Sequence, residues 1–201
     1  MAKLYFKYGA MGSSKTAQAL ITRFNYQEKG MRVWLIKPST DSRDGKMMLH
    51  SRVGLTAECV TILPDDDLRA LFCGYAQQNG PIDVIIADEA QFFCPQQIDA
   101  LRAIVDEDNI PALCFGLRTD FLTHLFPGSR RLLELADSIS EIKTICRCGS
   151  KATVNARIDG QGHIITEGEQ VVLGGNERYE AMCHKCWRRR IEKERAAKQN
   201  V

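Results

Sequence analysis

The chain has 201 residues, enough for one substantial hydrophobic core and a small appended unit, but too few for two full-sized domains. An apolar fraction of 44% and a charged fraction of 26% are those of an ordinary soluble globular protein, and a net charge of +2 argues against a protein that coats DNA or a membrane surface. The charge is uneven: residues 185–201 hold seven Lys or Arg against two Glu, a local net of +5, read here as a solvated helical end.

In chain order, residues 3–8 alternate and predict a strand. Residues 15–27 predict a helix with Ala17, Leu20, Ile21 and Phe24 on one face. Gly30 breaks that pattern, and residues 32–36 predict a second strand. Residues 37–57 are polar and without a period, long for a structureless connection, and are expected to be functional or mobile. A short strand fits 59–63. Pro64 and three aspartates then open a helix carrying Leu68, Leu71, Phe72 and Tyr75, the acids suiting the positive end of its dipole. The apolar run 82–87 predicts a strand buried on both faces, and Pro95 starts a helix with Ile98, Leu101, Ile104 and Val105 inward. One more buried strand is expected at 110–115, followed by a helix through Ala136 capped by Ser129. This alternation predicts an α/β unit with a mostly parallel sheet. Near residue 140 the texture changes to short β-like pieces, many glycines and clustered cysteines. The expected division is an α/β domain over 1–140, a second unit over 141–190 and a basic tail over 191–201.

Residues 1–10 are interrupted by Lys3 and Lys7 and lack the apolar stretch of a signal peptide. No run of about 18 apolar residues predicts a membrane span. Of the eight cysteines, Cys59, Cys73, Cys94 and Cys114 lie singly in core-like segments, which favours reduced thiols and a cytoplasmic location. The other four form two close pairs, Cys146 with Cys148 and Cys183 with Cys186, separated by 34 residues. Paired cysteines at such a distance predict a structural zinc site of four thiolates, with one non-standard knuckle because the first pair is unusually tight. His184 is read as a bystander, and His50 and His124 as solvated or structural.

Between the first strand and the first helix stands Gly9-Ala10-Met11-Gly12-Ser13-Ser14-Lys15-Thr16. This nearly matches a P-loop, in which small residues let backbone N–H groups approach phosphate, a lysine reaches the terminal phosphates and a hydroxyl meets Mg²⁺. Ser14 replaces the usual second glycine; it is strained if the position needs positive φ and tolerable if it already turns into the helix. Asp88-Glu89 ends the buried strand, where one acid can meet Mg²⁺ and its neighbour can orient or deprotonate a nucleophile. Asp88-Glu89-Ala90-Gln91 also looks like the acidic motif of helicase-type ATPases, so the alternative is a nucleic-acid-dependent P-loop ATPase with a zinc module. One α/β unit is too short for a two-lobed helicase clamp. A non-catalytic nucleotide-binding module is the third reading, opposed by the presence together of Lys15, Thr16, Asp88 and Glu89.

With the loop, the acidic pair and the cysteines in place, the sequence resembles the type II thymidine kinases, a zinc-containing family of bacteria, animal cytosol and poxviruses. The resemblance covers roughly residues 3–190. It rests further on Lys37-Pro38 with Asp41-Ser42-Arg43, on Asp88-Glu89-Ala90-Gln91-Phe92-Phe93, on Gly116-Leu117-Arg118-Thr119-Asp120-Phe121 and on Gly174-Gly175-Asn176-Glu177-Arg178-Tyr179. It implies a P-loop (RecA-like) α/β domain with a small C-terminal zinc-binding domain. The implied reaction moves the γ-phosphate of ATP to the 5′-hydroxyl of thymidine, and of deoxyuridine, in pyrimidine deoxynucleotide salvage. Carried over residue by residue, Lys15 would hold the phosphates and Thr16 the magnesium, with Asp88 the acid that meets the magnesium through water and Glu89 the base at the nucleoside 5′-hydroxyl. Asp41 and Arg43 would lie near the transferred phosphate, and Ala90 and Gln91 would complete the ATP site. Met11, Phe92, Leu117, Phe121 and Phe126 would surround the base, although by spacing alone they read as core. Val171, Val172, Leu173, Gly174 and Gly175 would form a lasso reading the base edge through its backbone, and Tyr179 would pack on the nucleoside. The resemblance also implies a homotetramer, inhibition by thymidine triphosphate, and no nucleic-acid or membrane partner.

Overall fold

The computed structural model describes residues 1–40, 47–170 and 179–199. Six strands form one sheet in the order β5-β2-β6-β7-β1-β8, and every pairing in it is parallel. They are β1 (Leu4–Tyr8), β2 (Val33–Pro38), β5 (Val60–Ile62), β6 (Val84–Ala87), β7 (Ala112–Gly116) and β8 (Ser138–Glu141). Parallel strands need crossovers, and the helices α1 (Lys15–Gln27), α2 (Leu68–Asn79), α3 (Pro95–Glu107) and α4 (Pro127–Leu135) supply four of the five.

The two-residue alternation of the strands divides the core between the two faces of the sheet. Leu4, Phe6, Trp34, Ile36, Ile85, Ala87, Ala112 and Cys114 point to one face, with Phe72, Ile98, Leu101, Ile104 and Leu132 from the helices. Leu35, Val84, Ile86, Leu113 and Phe115 point to the other, against Ala19 and Leu20 of α1. Only Ala17 and Leu20 of the expected apolar face of α1 are buried, whereas Ile21 is 49% and Phe24 58% exposed. The small residues Ala17 and Ala19 let α1 lie close on the sheet, which turns Ile21 and Phe24 outward.

Asp67 caps α2, its side chain accepting from the Ala70 N–H. Ser129 does not cap α4. Pro127 takes the first helical position and Phe126 the cap, so Ser129 falls inside the first turn, where its hydroxyl donates to the Leu117 carbonyl at 2.5 Å. Overlapping the expected aperiodic stretch 37–57 is an antiparallel hairpin, β3 (Met48–His50) with β4 (Thr56–Glu58). Beyond the sheet, β9 (Val154–Arg157) pairs antiparallel with β10 (Tyr179–Met182), and α5 (His184–Gln199) follows. Their small core is Cys146, Ala152, Ala156, Ile164, Met182, Cys183 and Ile191.

Candidate active site

The loop 9–16 runs from the end of β1 into α1. Gly9 must be glycine, because a Cβ there would overlap Ser13 Oγ and the Ile142 carbonyl. Lys15 is buried; its Nζ donates to the Ala10 carbonyl at 3.0 Å and approaches Ser13 Oγ at 3.5 Å, so the ammonium sits inside the curl of the loop. Ser14 has φ 61° and ψ 31°, the left-handed conformation, with no side-chain cap to compensate. Of the two sequence expectations for this position, the strained one holds. A left-handed L-residue costs roughly 1–2 kcal/mol, partly offset by the extra chain entropy, about 0.5–1 kcal/mol, that a glycine loses on folding. Ser14→Gly is therefore expected to leave the loop working and to stabilise the fold by roughly 0.5–1 kcal/mol in thermal unfolding. A variant less stable than the parent contradicts this.

The loop meets the end of β6 through one bond: the Thr16 hydroxyl donates to Asp88 Oδ2 at 2.7 Å. Asp88 is 1% exposed, and among the described residues its Oδ1 has no hydrogen-bond partner. Burial first, and the neighbouring Glu89 carboxylate second, push the Asp88 carboxyl from 3.8 up to about 7 against the pull of Thr16 and Lys15. A hydroxyl beside a buried carboxylate with an idle oxygen is an all-oxygen donor set that fits a hard divalent cation.

Glu89 also has a left-handed backbone, φ 48° and ψ 37°, at the start of a single 3₁₀ turn over Ala90–Phe92. Non-glycine residues held this way concentrate at functional sites. Gln91 fixes the side chain: its Nε2 donates to Glu89 Oε2 at 2.5 Å while its Oε1 accepts from the Leu117 N–H at 2.9 Å. Gln91 thus ties the acid to the end of β7. Ala90 is wholly buried beneath it.

Beside this pair lies an aromatic wall. Phe92 and Phe126 meet edge to face, centroids 5.5 Å apart. Phe121 is buried under the Arg157 guanidinium, 5.3 Å from its ring centroid. Leu117 and Met11 are half-buried at the ends of β7 and in the loop, and Tyr179 opens β10 opposite Arg157. Asp120 accepts from Gln170 Nε2 at 2.9 Å, which anchors the chain just before residue 171. Asp41, Arg43, Val171, Val172, Leu173, Gly174 and Gly175 lie outside the described residues.

Nothing in the sequence singles out Asn155. It is 3% exposed on β9; its Oδ1 accepts from the Met11 N–H at 2.8 Å and its Nδ2 donates to the Thr119 carbonyl at 3.1 Å. It joins the cysteine-bearing unit to both the phosphate loop and the β7 end. Its neighbours Val154, Ala156 and Arg157 carry no pattern that marks a buried amide, so no local signal points to it.

The four cysteine sulfurs of Cys146, Cys148, Cys183 and Cys186 lie within 4.8 Å of one another, and Cys148 Sγ is 3.6 Å from Cys183 Sγ. A tetrahedral zinc thiolate site with Zn–S of ~2.3 Å needs sulfurs ~3.8 Å apart, so the set fits zinc. The tight first pair is accommodated by a turn in which the Gly149 N–H donates to the Cys146 carbonyl at 2.9 Å. In the second pair the Cys186 N–H points to Cys183 Sγ at 3.4 Å. His184 stays outside, exposed and stacked edge-on against Trp187 at 5.2 Å. None of the eight cysteines forms a disulfide.

The thymidine kinase family model matches residues 2–187. A thymidine kinase of Rhizobium etli is 43% identical, the match covering 93% of this chain and 94% of that protein. One from Ruegeria pomeroyi is 45% identical over 94% of each chain. One from Xanthomonas campestris pv. campestris is 47% identical over 89% of this chain and 86% of its own.

Proposed function

The chain belongs to the thymidine kinase family and phosphorylates thymidine, and on that premise we propose that it transfers the γ-phosphate of ATP to the nucleoside 5′-hydroxyl at the 9–16 loop and the Asp88–Glu89 pair. The carrying observation is the 2.7 Å bond from Thr16 to Asp88, which brings the loop and the acidic strand end into one site. In this reading the backbone of Gly9, Ala10, Met11, Gly12, Ser13 and Ser14 lines the phosphates and Lys15 binds their charge. Thr16 and Asp88 hold magnesium, which when bound neutralises phosphate charge and orients the groups for in-line transfer. Glu89, held by Gln91, orients the 5′-hydroxyl and takes its proton. Asp41 and Arg43 act near the transferred phosphate.

Met11, Phe92, Leu117, Phe121 and Phe126 enclose the base, Tyr179 packs on the nucleoside, and the backbone of 171–175 reads the base edge. Residues 1–140 then form the nucleotide domain, 141–190 the zinc-bearing cover and 191–201 the tail. Cysteines in no disulfide support a cytoplasmic enzyme, and the outward Ile21 and Phe24 of α1 are available to a subunit contact of a homotetramer.

The test is a panel of nucleosides with ATP and Mg²⁺. A backbone that reads a base edge leaves polar groups unpaired against the wrong base, a mismatch worth about 10⁴-fold or more, whereas a missing methyl is worth far less. Thymidine is expected to lead, deoxyuridine to remain a fair substrate and purine deoxynucleosides to be rejected. Efficient phosphorylation of deoxyguanosine or deoxyadenosine contradicts the base assignment.

Zinc enters through the same cover. The core around it has few apolar side chains beyond the thiols themselves, so metal stands in for a larger core. Cys183→Ser is expected to raise the thymidine KM at least about 10-fold more than the ATP KM. Equal loss of both in a folded variant contradicts the link between zinc and nucleoside.

A further inference from the structure

The β3–β4 hairpin stands beside the phosphate loop, yet the proposed reaction leaves it without a role. Its base is anchored: Lys37 Nζ donates to the Met48 carbonyl at 2.8 Å, and the Cys59 N–H donates to the Met47 carbonyl at 3.0 Å. Leu49 and Ala57 are buried in the same apolar cluster as Ala19 and Leu20 of α1, the helix that continues the phosphate loop. Its tip is closed by Ser51, whose N–H donates to the Leu55 carbonyl at 2.8 Å and whose Oγ accepts from the Leu55 N–H at 2.9 Å. The hairpin is therefore a fixed arm, set against the first helix.

At that tip is Arg52. A Cβ placed on Gly12 would lie 3.7 Å from an Arg52 guanidinium nitrogen, so the arm carries its cation against the phosphate loop at Gly12. Gly12 has φ 73°, which an L side chain rarely adopts, and without one nothing at that position stands between the guanidinium and the loop. Arg52 is exposed, and among the described residues it makes no hydrogen bond or ion pair. Three other arginines, Arg69, Arg102 and Arg131, each face carboxylates on neighbouring elements. A guanidinium held against a phosphate-type loop, with no carboxylate to pair with, is completed by an anion. Its planar fork suits two phosphate oxygens at once.

We propose that Arg52 is a further catalytic residue, its guanidinium contacting phosphate oxygens of the nucleotide at the Gly12 edge of the loop while Lys15 contacts them from within. The inference rests on the reading that loop 9–16 holds ATP. Arg52 supplies charge where the transferred phosphate leaves its bridging oxygen and negative charge gathers on the leaving diphosphate.

The test compares Arg52→Ala, Arg52→Lys and Lys15→Ala with the parent, varying ATP and thymidine separately and recording thermal stability. Arg52→Ala is expected to lower kcat/KM for ATP by about 10- to 100-fold, the worth of charge-assisted hydrogen bonds, with the thymidine KM within about 2-fold. Arg52→Lys regains part of the loss, because it keeps charge but not the fork. Added guanidinium ion partly restores Arg52→Ala, which loss of a structural contact does not allow. Unchanged ATP parameters in Arg52→Ala, alongside an inactive Lys15→Ala, overturn the role of Arg52 alone. A fully active Lys15→Ala overturns the phosphate-loop reading and this inference with it. A loss confined to the thymidine KM, or a loss that guanidinium does not relieve, also overturns it.

Discussion

Lys15→Ala is expected to lower kcat/KM for ATP by at least about 10³-fold while the protein stays folded. The ammonium is buried inside the loop, where its contacts include the Ala10 carbonyl at 3.0 Å and Ser13 Oγ at 3.5 Å. It is thus already paid for in desolvation and already aimed at the space the loop encloses. Removing a single neutral donor from such a preorganised site costs about 10²–10³-fold, and a full charge facing a polyphosphate is worth more. Alanine leaves the loop backbone intact, because Thr16 and Asp88 still tie α1 to β6. Steady-state kinetics with thermal unfolding as a control checks the result, and a loss below about 10-fold contradicts it.

Glu89→Gln is expected to lower kcat by at least about 10²-fold with ATP and thymidine binding within a few-fold. The left-handed backbone at Glu89 and the 2.5 Å bond from Gln91 hold the carboxylate in one orientation. Glutamine keeps the shape and the strained backbone but cannot take the 5′-hydroxyl proton. General-base help spans about 10²–10⁴-fold, and the lower end applies where proton removal is late, as in loose phosphoryl transfer. Near-normal turnover would move the base elsewhere, with Asp41 next in line.

The parts of this site that sequence made legible are those whose signal is local. Gly9 to Thr16 combine a strand, a glycine turn and a helix start, and Asp88 directly follows an apolar run buried on both faces. The cysteines needed only their spacing. Ties between distant segments were not legible. Asn155 bonds the Met11 N–H across 144 positions, and nothing in its neighbours marks it as buried polar glue. The β3–β4 hairpin has strands of three residues each, too short to show alternation. At Ser129 two helix-start signals competed, and Pro127 at the first helical position prevailed over a serine cap because its φ is already set for the helix. Sequence leaves Ser14 between two conformations, since only the geometry of the turn decides whether φ is positive.

The most direct measurement of the central claim follows the label from γ-³²P-ATP with Mg²⁺ and thymidine. The account predicts label in thymidine 5′-monophosphate, formed one for one with ADP and absent when thymidine is omitted. Label released as inorganic phosphate at the same rate with or without thymidine would contradict it.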